Sequence, residues 1–279
     1  MGRCVNVPPF RFKVLRARSR RPGLLPTLFE SLAELLPFAV SAPTAPSSRC
    51  TAVTNPESPI PTPIAQSDRL RLTEIFLSLQ GESRSVGWPT VFVRLTGCPL
   101  RCGYCDTAYA FHGGQWWEID DILAEVARHG ARHVCVTGGE PLAQKRCLTL
   151  LERLCEEGYS VSLETSGAID IAPVDLRVQR VIDLKTPGSG ELAKNRWQNL
   201  DHLQPSDQIK FVVCDRADFD WAMRTTREHR LHERCEVLVS PSFGQVEPAE
   251  LAEWLLAEKL PVRFQMQLHK QLWGEAQGR

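Results

Sequence analysis

The sequence predicts an α/β domain of parallel strand–helix units over residues 69–279, preceded by a leader, residues 1–68, with no core of its own. Two observations carry this. From residue 90 onward, short β-rich runs alternate with segments of helical period, joined by short connections. Composition also changes near residue 69: the first 68 residues hold 11 of the 20 prolines but only two of the 18 glycines.

The elements follow in order. Thr90–Leu95 reads as a strand of β-branched and aromatic residues. Ile119–His129 carries apolar residues at Ile119, Ile122, Leu123 and Val126, a helical spacing that Gly130 closes. His133–Thr137 is a strand, and Pro141–Glu157 a helix ended by Gly158. Ser160–Glu164, Val178–Leu184 and Gln208–Val213 are further strands. Asp218–His229 is helical, Glu236–Ser240 a strand, Pro248–Glu258 a helix and Val262–Gln267 a last strand. Crossovers between such strands are right-handed. Periodicity leaves open whether they build an open doubly wound sheet or a closed or partial barrel.

The leader has eight basic and four acidic residues, a balance of +4; the whole chain is neutral, so the remainder carries −4. From Ser41 to Asp68 it is mostly Pro, Ser, Thr and Ala, too poor in apolar residues to offset its conformational entropy. It is expected to be disordered, apart from one short helical stretch over Leu24–Leu36. An Arg- and Ser-containing, acid-poor start resembles a targeting segment. Upstream sequence ahead of a start near Leu70 is the other reading. A secretory signal fits worse, because Pro26, Glu30, Glu34 and Pro37 interrupt the apolar run.

Neutral overall charge and an acidic remainder argue against a nucleic-acid partner. No stretch of about 18 apolar residues is free of charge or proline, which argues against a membrane partner. Ten cysteines in 279 residues are too sparse for a disulfide-stapled fold but enough for a metal or cluster site.

Cys98-Pro-Leu-Arg-Cys102-Gly-Tyr-Cys105 places three thiols within eight residues, directly after the first core strand. Three thiolates on a tight loop can hold three irons of a [4Fe–4S] cluster, leaving the fourth iron open to a small molecule. Zinc, the competitor, usually takes four ligands in two pairs, and no second pair exists here. Val136-Thr-Gly-Gly-Glu-Pro141 ends the next strand. Its glycines let backbone approach a ligand, and its carboxylate can accept from an ammonium. Alone, it is equally a strand-to-helix turn with Pro141 at the helix start.

The C-x3-C-x2-C spacing, with an aromatic before the last Cys and a GGE motif one strand later, resembles the radical S-adenosylmethionine superfamily. That resemblance implies a partial parallel βα barrel with its site at the C-terminal strand ends. Further segments narrow it: Leu79-Gln-Gly-Glu82, Arg94, Cys105-Asp-Thr107, Glu164-Thr-Ser-Gly167, Asp183-Leu-Lys-Thr-Pro187, and Gln267-Leu-His-Lys270 with Trp273-Gly274. Together they resemble the 7-carboxy-7-deazaguanine synthase family over nearly all of residues 70–274. The leader is the departure.

The resemblance implies a radical lyase of queuosine and 7-deazapurine biosynthesis. Its cluster cleaves S-adenosylmethionine reversibly, a hydrogen leaves C6 of 6-carboxy-5,6,7,8-tetrahydropterin, the ring contracts and ammonia departs. Cys98, Cys102 and Cys105 would hold the cluster, and Thr107 a Mg2+ on the substrate carboxylate. Tyr104, Asp106, Gly138, Gly139, Glu140, Ser166 and Lys185 would contact S-adenosylmethionine. Leu79, Gln80, Gly81, Arg94 and Thr137 would contact the pterin. By residue chemistry alone, Thr107 is a turn residue, Arg94 half of a salt bridge, and Glu164 a strand-end carboxylate. His269 and Trp273 read as packing residues. A homodimer, a flavodoxin or ferredoxin donor and a cytoplasmic location are also expected. The competing functions are a glycyl-radical-activating or other radical enzyme, disfavoured by the Gln80 loop and Thr107, and a non-catalytic iron–sulfur protein, which would want a fourth cysteine beside the three.

Overall fold

The computed structural model describes residues 68–274 and 276–278. The elements are β1 (Arg69–Leu79), β2 (Pro89–Leu95), β3 (Gln115–Glu118), α1 (Ile119–His129), β4 (His133–Gly138), α2 (Cys147–Glu156), β5 (Ser160–Thr165) and β6 (Gln179–Asp183). They continue with β7 (Gln208–Val213), α3 (Arg216–Glu228), α4 (Leu231–Arg234), β8 (Glu236–Pro241), α5 (Pro248–Glu258), β9 (Arg263–Phe264) and α6 (Leu268–Trp273). The expected leader lies outside the described residues, except Asp68. Among the described residues no helix is long and apolar enough to cross a membrane.

One nine-stranded sheet runs β3-β1-β2-β4-β5-β6-β7-β8-β9. From β2 to β9 every pairing is parallel. β1 is antiparallel to both β2 and β3. Strands such as β4, with Val134, Cys135 and Val136 fully buried, are covered on both faces, as parallel sheets require. α1 meets the core with Ile119, Ile122, Leu123 and Val126, and Gly130 ends it in a left-handed conformation.

Three features differ from the sequence expectation. β1 and β3 are added at one edge. In β1 the alternation is plain in Arg69-Leu-Arg-Leu72, where only the leucines are buried. The helix expected over Pro141–Glu157 is a single 3-10 turn, Pro141–Ala143, followed by α2. Gln144 explains the break. It is extended, and its amide accepts from Arg71 N at 2.8 Å and donates to Arg71 O at 2.9 Å and Thr96 O at 3.0 Å. It thereby satisfies backbone beside the irregular register near Leu72 and Glu74. The last strand shrinks to two residues.

The sheet curls into the expected partial barrel. β1 and β7 stand five strand positions apart, roughly 24 Å if the sheet were flat. Yet Phe76 of β1 and Lys210 of β7 line one cavity. The turn after β1 bridges the open side: Arg84 N donates to Gln208 Oε1 at 3.1 Å, and Arg84 pairs with Glu236 of β8 at 3.2 Å. Deeper in the sheet, Arg180 of β6 and Asp207 form a buried bidentate pair at 3.0 and 2.5 Å. The Arg180 guanidinium also donates to Ile171 O and His202 O.

Candidate active site

The thiol loop is held from several sides. Gly97 N donates to Ala110 O, and Gly97 O accepts from Glu140 N, both at 2.8 Å. Gly103 N donates to Ser189 O at 3.0 Å. The Arg101 guanidinium bonds Cys98 O at 2.7 Å and Leu100 O at 2.6 Å and lies over the Phe111 ring. Cys98, Cys102 and Cys105 are free, partly exposed, and line the same cavity. Burial pushes all three thiols up, and Lys185 is among the groups pulling them down. Among the described residues no three His, Cys, Asp or Glu side chains gather around one metal ion. Zinc needs such a gathering, whereas a cluster takes one thiolate per iron.

The turn after β4 explains its two glycines. Gly138 has φ +146°, and a Cβ there would fall 2.2 Å from Leu95 O. A Cβ on Gly139 would fall 2.2 Å from Gly97 O and 2.7 Å from Cys98 Cβ. The backbone of this turn therefore lies directly against the thiol loop.

Glu140 departs from expectation. It is fully buried and its side chain is not in the cavity wall. Its carboxylate accepts from Leu142 N at 3.0 Å, Thr165 Oγ1 at 2.9 Å, Ser166 N at 2.7 Å and the Ser166 hydroxyl. In this arrangement it meets the protein's own donors behind the cavity wall. It ties the end of β4 to the end of β5 and aims Ser166, which does line the cavity.

On the other flank, Arg94 Nε donates to Glu74 at 2.7 Å, with Tyr109 Oη on the same oxygen at 2.8 Å. The salt bridge open at the sequence level is thus present, and Arg94 still lines the cavity. Glu164 accepts from Gln80 Nε2 at 3.3 Å and Thr137 Oγ1 at 3.1 Å, so β1, β4 and β5 converge on one carboxylate. Leu79 and Gly81 complete this wall. Gly81 is where His269 packs: an added Cβ would lie 2.3 Å from its Nδ1.

These walls enclose about 430 Å³. The cavity joins the three thiols, Tyr104, Asp106, Thr107, Gly138, Gly139, Ser166 and Lys185 to Leu79, Gln80, Gly81, Arg94 and Thr137. Every residue expected at the site is here except Glu140. Residues 92–184 match the radical SAM superfamily model. The 7-carboxy-7-deazaguanine synthase of Koribacter versatilis (strain Ellin345) is 44% identical over 219 residues, 73% of this chain and 97% of the relative. That of Chlorobaculum tepidum is 45% identical over 208 residues, 74% of this chain and 94% of the relative. The chain belongs to the 7-carboxy-7-deazaguanine synthase family. The crystal structure of QueE from Escherichia coli shares the fold, with TM-score 0.59 and 24% identity over 72% of this chain and 95% of that one. Membership of the radical SAM superfamily implies a [4Fe–4S] cluster and S-adenosylmethionine.

The residues fit those groups. Tyr104 Oη and Asp183 Oδ1 are buried at the cavity without a hydrogen-bond partner among the described residues, and a polar ligand would supply one. Lys185 Nζ donates to Asp183 Oδ2 at 2.6 Å and lies 5.5 Å from the Tyr104 ring. Burial would lower the Lys185 ammonium, but Asp183 more than offsets it and the group titrates above ordinary lysine. Thr107 donates to Asp106 Oδ1 at 2.8 Å and makes no cap bond to its own helix turn. Burial would raise the Asp106 carboxyl, but His269, Thr107 and Lys270 hold it well below the usual carboxylate range.

Sequence reasoning overlooked Glu74 and Lys210, and it read Asp183 as part of a motif without giving it a role. Lys210 had a signal: it is the one charge in the strand Gln208-Ile-Lys-Phe-Val-Val213. Its ammonium donates to Glu82 at 2.6 Å. Burial would lower it, but Glu82 and Asp183 keep it above ordinary lysine.

Proposed function

We propose that this chain converts 6-carboxy-5,6,7,8-tetrahydropterin to 7-carboxy-7-deazaguanine with loss of ammonia, in queuosine and 7-deazapurine biosynthesis. The observation that carries it is the single cavity joining three free thiols to Arg94 and the Gln80–Glu164–Thr137 cluster, in a member of this family. Bound together, the cluster and S-adenosylmethionine supply hydrogen-atom abstraction from carbon, the chemistry this ring contraction needs.

The chain's own residues bind and orient. Cys98, Cys102 and Cys105 hold the cluster. The Gly138–Gly139 backbone, Tyr104, Asp106, Ser166 and Lys185 hold S-adenosylmethionine, with Glu140 fixing Ser166. Leu79, Gln80, Gly81, Arg94 and Thr137 hold the pterin, and Glu164 sets the last polar contacts of Gln80 and Thr137 in place. The Thr107 hydroxyl would hold Mg2+, a hard cation suited to oxygen, and that ion would supply positive charge for the pterin carboxylate. A flavodoxin or ferredoxin supplies electrons, and the working form is a cytoplasmic homodimer.

The test is anaerobic turnover with the cluster-loaded chain, reductant, Mg2+, S-adenosylmethionine and the carboxypterin. The expected result is 7-carboxy-7-deazaguanine and ammonia, with S-adenosylmethionine not consumed in proportion. Cleavage of S-adenosylmethionine without that product would assign the cavity to another radical reaction.

A further inference from the structure

The turn after β1 is polar yet buried: Gln80 and Ser83 are each 2% exposed and Glu82 8%. Ser83 has φ +68°, a conformation that persists in a non-glycine residue only when its surroundings over-determine it. Those surroundings come from the far end of the sheet. Ser83 N donates to Gln265 Oε1 at 2.7 Å, and Ser83 O accepts from Arg263 at 2.7 Å. Leu268 N donates to Gly81 O at 2.9 Å. At the centre, Glu82 accepts from Lys210 Nζ on Oε2 at 2.6 Å and from Gln267 Nε2 on Oε1 at 2.9 Å.

We propose that Glu82 is a positioning residue for substrate: with one oxygen on Lys210 and the other on Gln267, it fixes Gln80 and Gly81 as a wall of the cavity. This rests on the reading that the cavity takes the carboxypterin. Glu82 N donates to Gln80 Oε1 at 3.2 Å, so a displaced Glu82 also moves the side chain that bonds Glu164. Gly81 has no slack on its other side, where His269 packs. A carboxylate can accept from both donors at once. An amide carries no charge, so glutamine at this position leaves the buried Lys210 ammonium without its hydrogen-bonded carboxylate.

The experiment compares wild type, Glu82→Gln and Glu82→Gln/Lys210→Met, all loaded with cluster. It reads amide hydrogen exchange, thermal midpoint, cluster absorbance and steady-state kinetics on the carboxypterin. In Glu82→Gln, exchange in residues 80–85 should quicken by roughly tenfold or more while β4 and β5 are unchanged. KM for the pterin should rise by roughly tenfold or more, with a smaller change in kcat and cluster absorbance retained. The double variant leaves no lysine ammonium facing the substituted residue, so its midpoint should recover toward wild type. Its loop exchange and KM should stay raised, because the pairing is still absent. Recovery of KM together with the midpoint would overturn the proposal, as would wild-type loop exchange in Glu82→Gln or a uniform quickening over the whole sheet. A wild-type protein that does not turn over the pterin would sink the functional reading instead, and the exchange data would still decide whether Glu82 fixes the loop.

Discussion

Thr107 donates its hydroxyl to Asp106, accepts no cap bond from its own turn and lines the cavity. If that oxygen serves Mg2+, Thr107→Ala keeps the thiols, the cluster and S-adenosylmethionine binding. It loses roughly a hundredfold in pterin turnover, the scale of a misplacement of about 1 Å. Thr107→Ser retains more activity than Thr107→Ala. Turnover measured against Mg2+ concentration for the three proteins checks this, and coincident curves with equal maximal rates would reject the assignment. The cysteines separate more sharply. Cys98→Ala, Cys102→Ala and Cys105→Ala should each abolish S-adenosylmethionine cleavage. Cys135→Ala and Cys147→Ala should keep it, since both thiols are buried in strand and helix away from the cavity. The assay is 5′-deoxyadenosine formation after cluster reconstitution. Glu140 shows the limit of reading a motif by composition. Its carboxylate looks available in Gly-Gly-Glu-Pro, but in the fold it meets four donors from its own turn after β4 and from the end of β5.

Among the elements, β6 and β7 depend on a charge pair inside the sheet. Arg180 and Asp207 are each almost wholly buried, and four of the five guanidinium N–H groups meet an acceptor. Removing one partner leaves an uncompensated buried charge, a cost of roughly 3–5 kcal/mol. Asp207→Asn should lower the thermal midpoint by about 10 °C in a domain of this size. Differential scanning calorimetry of the two proteins measures it, and a shift within about 2 °C would mean the pair is solvated in solution. Two helices were legible: α1 from its apolar spacing and Gly130, and α5 from Pro248 at its start. β1 was not singled out, because Thr73, Glu74 and Ser78 interrupt its apolar positions after Leu72. The break at Gln144 was invisible too, since its cause is an irregular strand 73 residues away.

At the scale of the whole molecule, the described residues, 68–274 and 276–278, supply a complete nine-stranded sheet and a cavity holding every assigned site group but Glu140. Asp68 belongs with them: its carbonyl accepts from Ile119 N at 3.0 Å and its carboxylate pairs with Arg146 at 3.1 Å. A protein without residues 1–67 should therefore fold, take up the cluster and turn over the pterin within about twofold of the full chain, since every assigned group is retained. Iron content and kcat of the two proteins are the readouts. A shortened protein that cannot assemble its cluster would show that the leader contributes to the fold.

The sequence by itself determined the chemistry and the class of fold. Thiol spacing, glycines at close approaches and the alternation of strand and helix are local properties, set by bond geometry within a few residues. The tertiary structure decided which charges are available. Arg94, Glu140 and Lys210 are all charged groups on buried elements, and nothing local distinguishes them. Each must find a partner because a lone charge is costly away from water, and the partner is chosen by strand register and by the curl of the sheet. Register brings Glu74 to Arg94. The close of β5 brings Thr165 and Ser166 to Glu140. The curl brings Glu82 to Lys210 across 128 residues of chain, which no pattern along the sequence records.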